Sequence, residues 1–139
     1  MGKFSRSQCR EWALQFLYQA EFAGLHQPEA LERFWSHFQA EGAPPAYLVE
    51  LVEGVISHLE ELDVFIVRYS EHWRLERMTI VDRNLLRLAI YELLYQPAIP
   101  VKVVINEAVE MAKRYGSEAS GGFVNGILDQ VRMSVGREV

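Results

Sequence analysis

The chain has little of what marks disulfide-rich, secreted or membrane proteins. Cys9 is the single cysteine in 139 residues, which excludes an internal disulfide framework and favours a reducing compartment. No apolar run reaches the roughly 18 residues that a membrane span needs. No apolar stretch follows the basic residues near the N-terminus, as it would in a signal peptide. We therefore expect a soluble, cytoplasmic protein.

Patterns that carry catalysis are also scarce. The four histidines show no recognised metal-ligand spacing, either among themselves or with the cysteine. The Gly121-Gly122 pair lacks the Lys-Ser/Thr of a P-loop, and no Ser/His/Asp order stands out. Glu92 falls on the apolar side of a predicted helix, where a hydrogen-bonded buried carboxylate is the better interpretation than a catalytic one. We expect no enzymatic activity, no metal and no cofactor.

The composition suits one globular domain over residues 1–139. Half of the residues are hydrophobic and 24% are charged, which is enough apolar surface for a core and too few charges for disorder. The net charge of -5 argues against coating nucleic acid by bulk charge, although a local basic patch remains compatible with it.

The most informative stretch is residues 80–94, which has a helical period. At about 100° per residue, apolar residues cover nearly the whole circumference. A narrow polar stripe interrupts them, made of Arg83, Asn84 and Arg87. A helix this apolar has to be surrounded by other elements. Thr79 and Asp82 fit a capped start, and Pro97 ends the helix after Gln96.

Apolar residues at three- and four-residue steps predict six more helices around this central one. Two of them share residues 47–69 and join near Leu62-Asp63, where the phase slips. A small polar loop over 117–122 precedes the last helix. Gly126 within that helix is expected to let a neighbouring helix approach closely. No segment alternates with period two for long enough to be a strand. The predicted fold is an all-α, compact bundle of about seven helices around a buried central helix.

Three groups of residues are candidates for binding. The first is the basic arm of Lys3, Arg6 and Arg10. Arg6 and Arg10 are four residues apart and share a helix face, where like charges cost some stability. They also oppose the helix dipole. A polyanionic partner would explain both costs, whereas the alternative is a solvated helix start.

The second group lies between Ser117 and Asn125, with Ser120 and Phe123 among its members. Small residues before a helix N-terminus suit a phosphate, and an exposed phenylalanine can stack on a base. The alternative is a capped helix with Phe123 in the core. The third group is an acidic edge of Glu76 and Asp82, which helix capping by Asp82 also explains.

At these residues the chain resembles the NusB family of bacterial transcription antitermination factors. The first helix matches through Arg10-Glu11, Ala13, Gln15, Leu17 and Tyr18. The remaining matches are Val81–Leu93, Ile99-Pro100, Ile105–Glu110, Ala112-Lys113, Tyr115-Gly116, Ser120 and Phe123–Asp129. Four ordered motifs spread over essentially the whole chain make the resemblance specific.

The resemblance implies an all-helical protein with two helical halves. It implies binding to single-stranded boxA-type RNA of ribosomal RNA operons, together with NusE, a small-subunit ribosomal protein. The complex would act on elongating RNA polymerase with other Nus factors. By position, the RNA-binding residues would be Lys3, Arg6, Arg10, Ser120, Phe123 and Asn125. Those for the protein partner would be Tyr18, Glu76 and Asp82.

The chain departs from the family pattern in ways that weaken RNA binding. Ser7-Gln8-Cys9 interrupts an arm that is often denser in arginine, and Gly121-Gly122 stand where relatives can carry basic residues. Each lost phosphate contact removes about 0.7 from the log-log salt slope on a single strand. We therefore expect weak RNA binding by the protein alone and useful affinity only with NusE.

Two other functions fit the same sequence. A similar helical domain precedes the catalytic part of certain ribosomal RNA cytosine methyltransferases, although no cofactor-binding βαβ region is present here. The chain could also be a protein-interaction module, including a homodimer, in which the basic arm is incidental.

Overall fold

The computed structural model describes residues 4–24, 27, 29–38, 42–71 and 74–137. These residues form seven α-helices and one short 3-10 helix, with no strand among them. In chain order the α-helices are α1 (Arg6–Ala23), α2 (Ala30–Phe38), α3 (Ala46–Ser57), α4 (Leu59–Tyr69), α5 (Ile80–Tyr95), α6 (Val101–Tyr115) and α7 (Ser120–Ser134). The predicted all-α fold of about seven helices is confirmed.

The chain divides into two compact units, Met1–Ser57 and His58–Val139. In the first unit α1 packs along α3. The ring of Phe16 in α1 meets that of Phe34 in α2 edge to face, with 5.5 Å between centroids. A second aromatic cluster joins Phe4, Trp12 and Trp35 in edge-to-face contacts. Since such pairs add about 0.5–1.5 kcal/mol beyond burial, the rings fix α2 against α1.

The second unit is built around α5. Helices α4, α6 and α7 all pack on it, and α6 and α7 pack on each other. Every residue from Asn84 to Leu93 is buried, as expected for a helix that is apolar on nearly all sides. The predicted start of α5 is confirmed, because the Asp82 amide donates to Thr79 Oγ1 at 3.1 Å. Its end is confirmed at Tyr95, with Gln96 as the C-terminal cap.

The polar stripe of α5 is more deeply buried than a surface stripe would be. Asn84 is 0% exposed and Arg87 is 4% exposed. The Arg87 guanidinium donates from Nε and Nη2 to the two carboxylate oxygens of Asp63 in α4, at 2.8 and 2.9 Å. It also donates to Asn84 Oδ1 at 3.0 Å. A two-pronged pair of this kind makes a buried charge tolerable.

The junction between α3 and α4 lies at His58, so the prediction of two helices is right but their predicted boundary at Leu62-Asp63 is wrong. His58 has φ -114° and ψ 21°, and its ring lies 4.3 Å from that of Tyr95. The apolar positions 55, 59, 62 and 66 keep three- and four-residue steps across the break, so periodicity alone does not locate it.

The expectation for Gly126 is also wrong. A Cβ built there would meet no described residue within 4 Å, so no helix in the described part of the chain packs closely against it. Gly121 is the buried glycine of α7, where a Cβ would lie 3.5 Å from Lys113 Cγ and 3.7 Å from Val109 Cγ1 of α6. Gly121 falls within α7 because this helix begins at Ser120, three residues before the predicted start at Phe123.

No helix in the described part of the chain combines the length and apolarity that crossing a membrane requires. Within those same residues, no group of three or more His, Cys, Asp and Glu side chains is arranged to hold a metal ion.

Cys9 gives a direct probe of the first unit. The residue is 1% exposed, and burial raises the pKa of its thiol. Because the thiolate is the reactive form, labelling by Ellman's reagent needs an opening of the unit. An opening free energy of about 2.8 kcal/mol slows labelling roughly 100-fold relative to the unfolded chain. Similar labelling rates with and without denaturant would contradict the burial of Cys9.

Removing the carboxylate of Asp63 should destabilise the protein strongly. Asp63→Ala leaves the Arg87 charge buried, and breaking such a pair costs on the order of 3 kcal/mol. Glu60→Ala is the matched control, since it removes an exposed carboxylate from the same helix and should change stability by less than about 0.5 kcal/mol. Urea unfolding measures both. Equal midpoints for the two variants would refute the structural role of the pair.

Candidate nucleic-acid and partner interface

The start of α1 is held by reciprocal hydrogen bonds. The Gln8 amide donates to Ser5 Oγ at 3.1 Å, and the Ser5 amide donates to Gln8 Oε1 at 3.1 Å. This capping box satisfies two amides that the helix leaves without acceptors. Ser5 is the N-terminal cap, so Arg6 is the first residue of α1.

Arg6 is exposed, and its guanidinium lies over the ring of Tyr47, 5.4 Å from the centroid. A cation in this position is attracted by the ring face. The contact restricts the side chain and leaves the other face of the guanidinium open. Tyr47 stands in the first turn of α3, and sequence reasoning missed it because nothing local connects residues 6 and 47.

Arg10 does not share the exposure of Arg6. It is 4% exposed, and its charge acts to lower the pKa of the neighbouring Cys9 thiol, against the larger effect of burial. Lys3 lies outside the described residues. Within the described part of the arm, Arg6 is therefore the cation that solvent, or a polyanion, can reach.

The turn between α6 and α7 closes tightly on itself. The Ser117 amide donates to Ser120 Oγ at 2.9 Å, and Ser120 is 1% exposed. A Cβ on Gly116 would lie 2.5 Å from that hydroxyl and 2.8 Å from the Ala112 carbonyl oxygen. Gly116 has a φ of -102°, which any residue can adopt. Glycine is therefore required at 116 by this close approach and not by the backbone conformation. Ser120 shapes the turn from inside.

The predicted loop 117–122 is shorter than expected, because α7 begins at Ser120. Gly122 and Asn125 are exposed and Phe123 is half-buried. Phe123 and Asn125 are two residues apart, so their side chains leave the helix at directions about 200° apart. The turn therefore offers two flanks, one with the edge of Phe123 and one with Asn125.

The three predicted partner residues belong to different units. In the first unit, Tyr18 is 40% exposed and its ring meets that of Phe22, 68% exposed, at 5.1 Å. In the second unit, Glu76 is exposed. Asp82 is 7% exposed, and its Oδ1 has no hydrogen-bond partner among the described residues. The exposure of Phe22 was missed, because an apolar residue near the end of an amphipathic helix normally indicates core.

Comparison with known proteins connects these features to one family. The NusB family model matches residues 7–133. The transcription antitermination protein NusB of Myxococcus xanthus is 50% identical over 137 residues, covering 96% of this chain and 98% of that protein.

Solved structures agree with this match. A T. maritima NusB structure superposes with a TM-score of 0.83 at 40% identity, covering 94% of this chain and 92% of that one. A chain in the crystal structure of antitermination factors NusB and NusE in complex with dsRNA gives a TM-score of 0.79 at 29% identity, covering 93% and 96%. From residue 7 to residue 133, the chain belongs to the NusB family.

Proposed function

We propose that this protein is a transcription antitermination factor that binds boxA-type RNA of ribosomal RNA operons together with NusE. It acts in the cytoplasm on elongating RNA polymerase with other Nus factors, and its contribution is binding without catalysis. The observation that carries the proposal is the match over nearly the whole chain to a NusB that was crystallised with NusE and dsRNA.

Each unit contributes its own RNA contacts. In the first unit these are the arm residues Lys3, Arg6 and Arg10. The accessible charge of Arg6 supports a phosphate contact, whereas Arg10 is buried and offers little surface to RNA. In the second unit they are Ser120, Phe123 and Asn125. Ser120 acts by holding the turn, which leaves the other two to meet the RNA.

Single-stranded RNA is the proposed ligand, because unpaired bases can turn out and stack on an aromatic ring. The half-buried ring of Phe123 offers an edge for this. The related NusB–NusE complex contains dsRNA, so we expect a duplex of the same sequence to bind as well. We expect it to bind more weakly than the single strand, because its bases stay in the stack and leave mainly its phosphates for contact.

NusE is proposed to bind at Tyr18, Glu76 and Asp82. The exposed ring pair of Tyr18 and Phe22 is the kind of aromatic anchor that protein interfaces use. A buried carboxylate oxygen with no donor among the described residues, as at Asp82, costs free energy that a partner's donor would remove.

NusE should raise RNA affinity at every salt concentration. The protein alone offers few phosphate contacts, so its titration with single-stranded boxA-type RNA should give weak binding with a shallow salt slope. Fluorescence anisotropy at several salt concentrations, with and without NusE, measures this. Equal affinity in both series would defeat the partner dependence, and no binding in either series would defeat the proposed function.

Arg6→Ala serves as the discriminating variant in the same assay, with Arg33→Ala as its control. Both side chains are exposed and both lie in the first unit. Loss of one phosphate contact lowers the salt slope by about 0.7, and this should happen for Arg6 alone. If Arg6→Ala left RNA binding unchanged while the protein stayed folded, a protein-interaction module would be the better description.

A further inference from the structure

The α6–α7 turn carries a cation, Lys113, to which the family motifs assign no role. Lys113 lies in the last turn of α6 and its side chain is 64% exposed. Its stem crosses the bare Cα of Gly121, because a Cβ built there would lie 3.5 Å from Lys113 Cγ and 3.7 Å from its Cε. Contact along the stem with an exposed end is how lysine presents its charge at a surface.

We propose that Lys113, laid across Gly121, is an RNA phosphate contact of this protein. Its ammonium supplies positive charge beside the first turn of α7, where Gly121 and Gly122 have no side chains of their own. This proposal rests on the proposed function and adds to it a residue and a chemical role.

The geometry of α7 groups Lys113 with one flank of the turn. Gly121 and Asn125 are four residues apart, so they lie on the same side of the helix. Asn125 is exposed there, and Phe123 points to the other flank. An RNA strand that passes over Gly122, where a Cβ would meet no described residue within 4 Å, can reach the Phe123 ring on one side. On the other side the RNA strand meets the Lys113 ammonium and the Asn125 side-chain amide.

The charge of Lys113 is available to a phosphate. Its ion pair with Glu110 spans 3.7 Å, and the Glu110 side chain is 60% exposed. Exposed pairs of this kind contribute little to stability, so a polyanion can displace the carboxylate. Glu110 therefore competes with RNA for the same ammonium.

The test compares Lys113→Ala with Lys102→Ala in the complex with NusE. Both lysines are exposed and both lie on α6. Eleven residues separate them, which is about 16 Å along the helix. We expect Lys113→Ala to lower the salt slope by about 0.7. When salt is lowered from 1 M to 0.1 M, the RNA affinity of this variant should therefore rise about fivefold less than that of the unmodified protein. Lys102→Ala should match the unmodified protein.

The outcomes separate the two proposals. If the unmodified complex binds RNA and loses affinity with Arg6→Ala, but Lys113→Ala behaves like Lys102→Ala, the role of Lys113 is overturned and the proposed function stands. If the unmodified complex does not bind RNA at all, both fall.

Glu110→Gln supplies a second readout with the opposite sign. Removing the competing carboxylate should tighten RNA binding in the unmodified background and have a much smaller effect when Lys113 is already alanine. Such non-additivity is what direct coupling between two neighbouring side chains produces. An equal gain in both backgrounds would mean that Glu110 acts through its general charge, and it would contradict a contact made by Lys113.

Discussion

The burial of α5 on all sides is the constraint on which the second unit depends. A helix covered by α4, α6 and α7 buries a charge at low cost only where that charge is matched, and Asp63 matches Arg87 with two hydrogen bonds. The pair also fixes α4 against α5 at one register, since a displacement along the helix would leave both charges buried and unpaired. The second unit thus combines an apolar core with an ion pair that helps to specify how α4 and α5 meet.

The proposed binding residues lie at helix ends, where this packing leaves the chain accessible. Ser5 caps α1 and brings Arg6 to its first turn, against Tyr47. Gly116 and Ser120 close the α6–α7 turn tightly, and in the first turn of α7 the Lys113 side chain lies across Gly121 while Gly122 is exposed. In both places a small residue performs the local structural task and a neighbouring side chain is left for the partner.

Much of this fold could be predicted from the sequence, because amphipathic periodicity and capping are local properties. The start of α5 at Thr79 and its end at Gln96 are examples. The α3–α4 break was misplaced because the apolar steps continue across His58. The burial of Arg87 was missed because its partner is 24 residues away, and a polar stripe looks the same whether it faces water or a buried carboxylate.

The candidate site was predictable to a smaller extent. Sequence motifs selected Arg6, Phe123 and Asn125, but they also gave Arg10 and Ser120 the same standing, although both are buried. Exposure depends on packing between elements that are distant in the chain, and so do the contacts of Tyr47 and Lys113. The resemblance to a family identifies which segments matter, whereas the structure distinguishes side chains that hold a segment from those free to meet a ligand.

Hydrogen exchange with and without NusE and boxA-type RNA tests the central claim most directly. That claim is that a fixed helical scaffold presents the first turn of α1 and the α6–α7 turn to RNA. The first amides of a helix lack intrahelical acceptors and exchange readily, so they report on contacts there. The account predicts added protection in both segments on forming the complex, with the slow exchange of α5 unchanged. Protection absent from both segments, or faster exchange within α5, would contradict it.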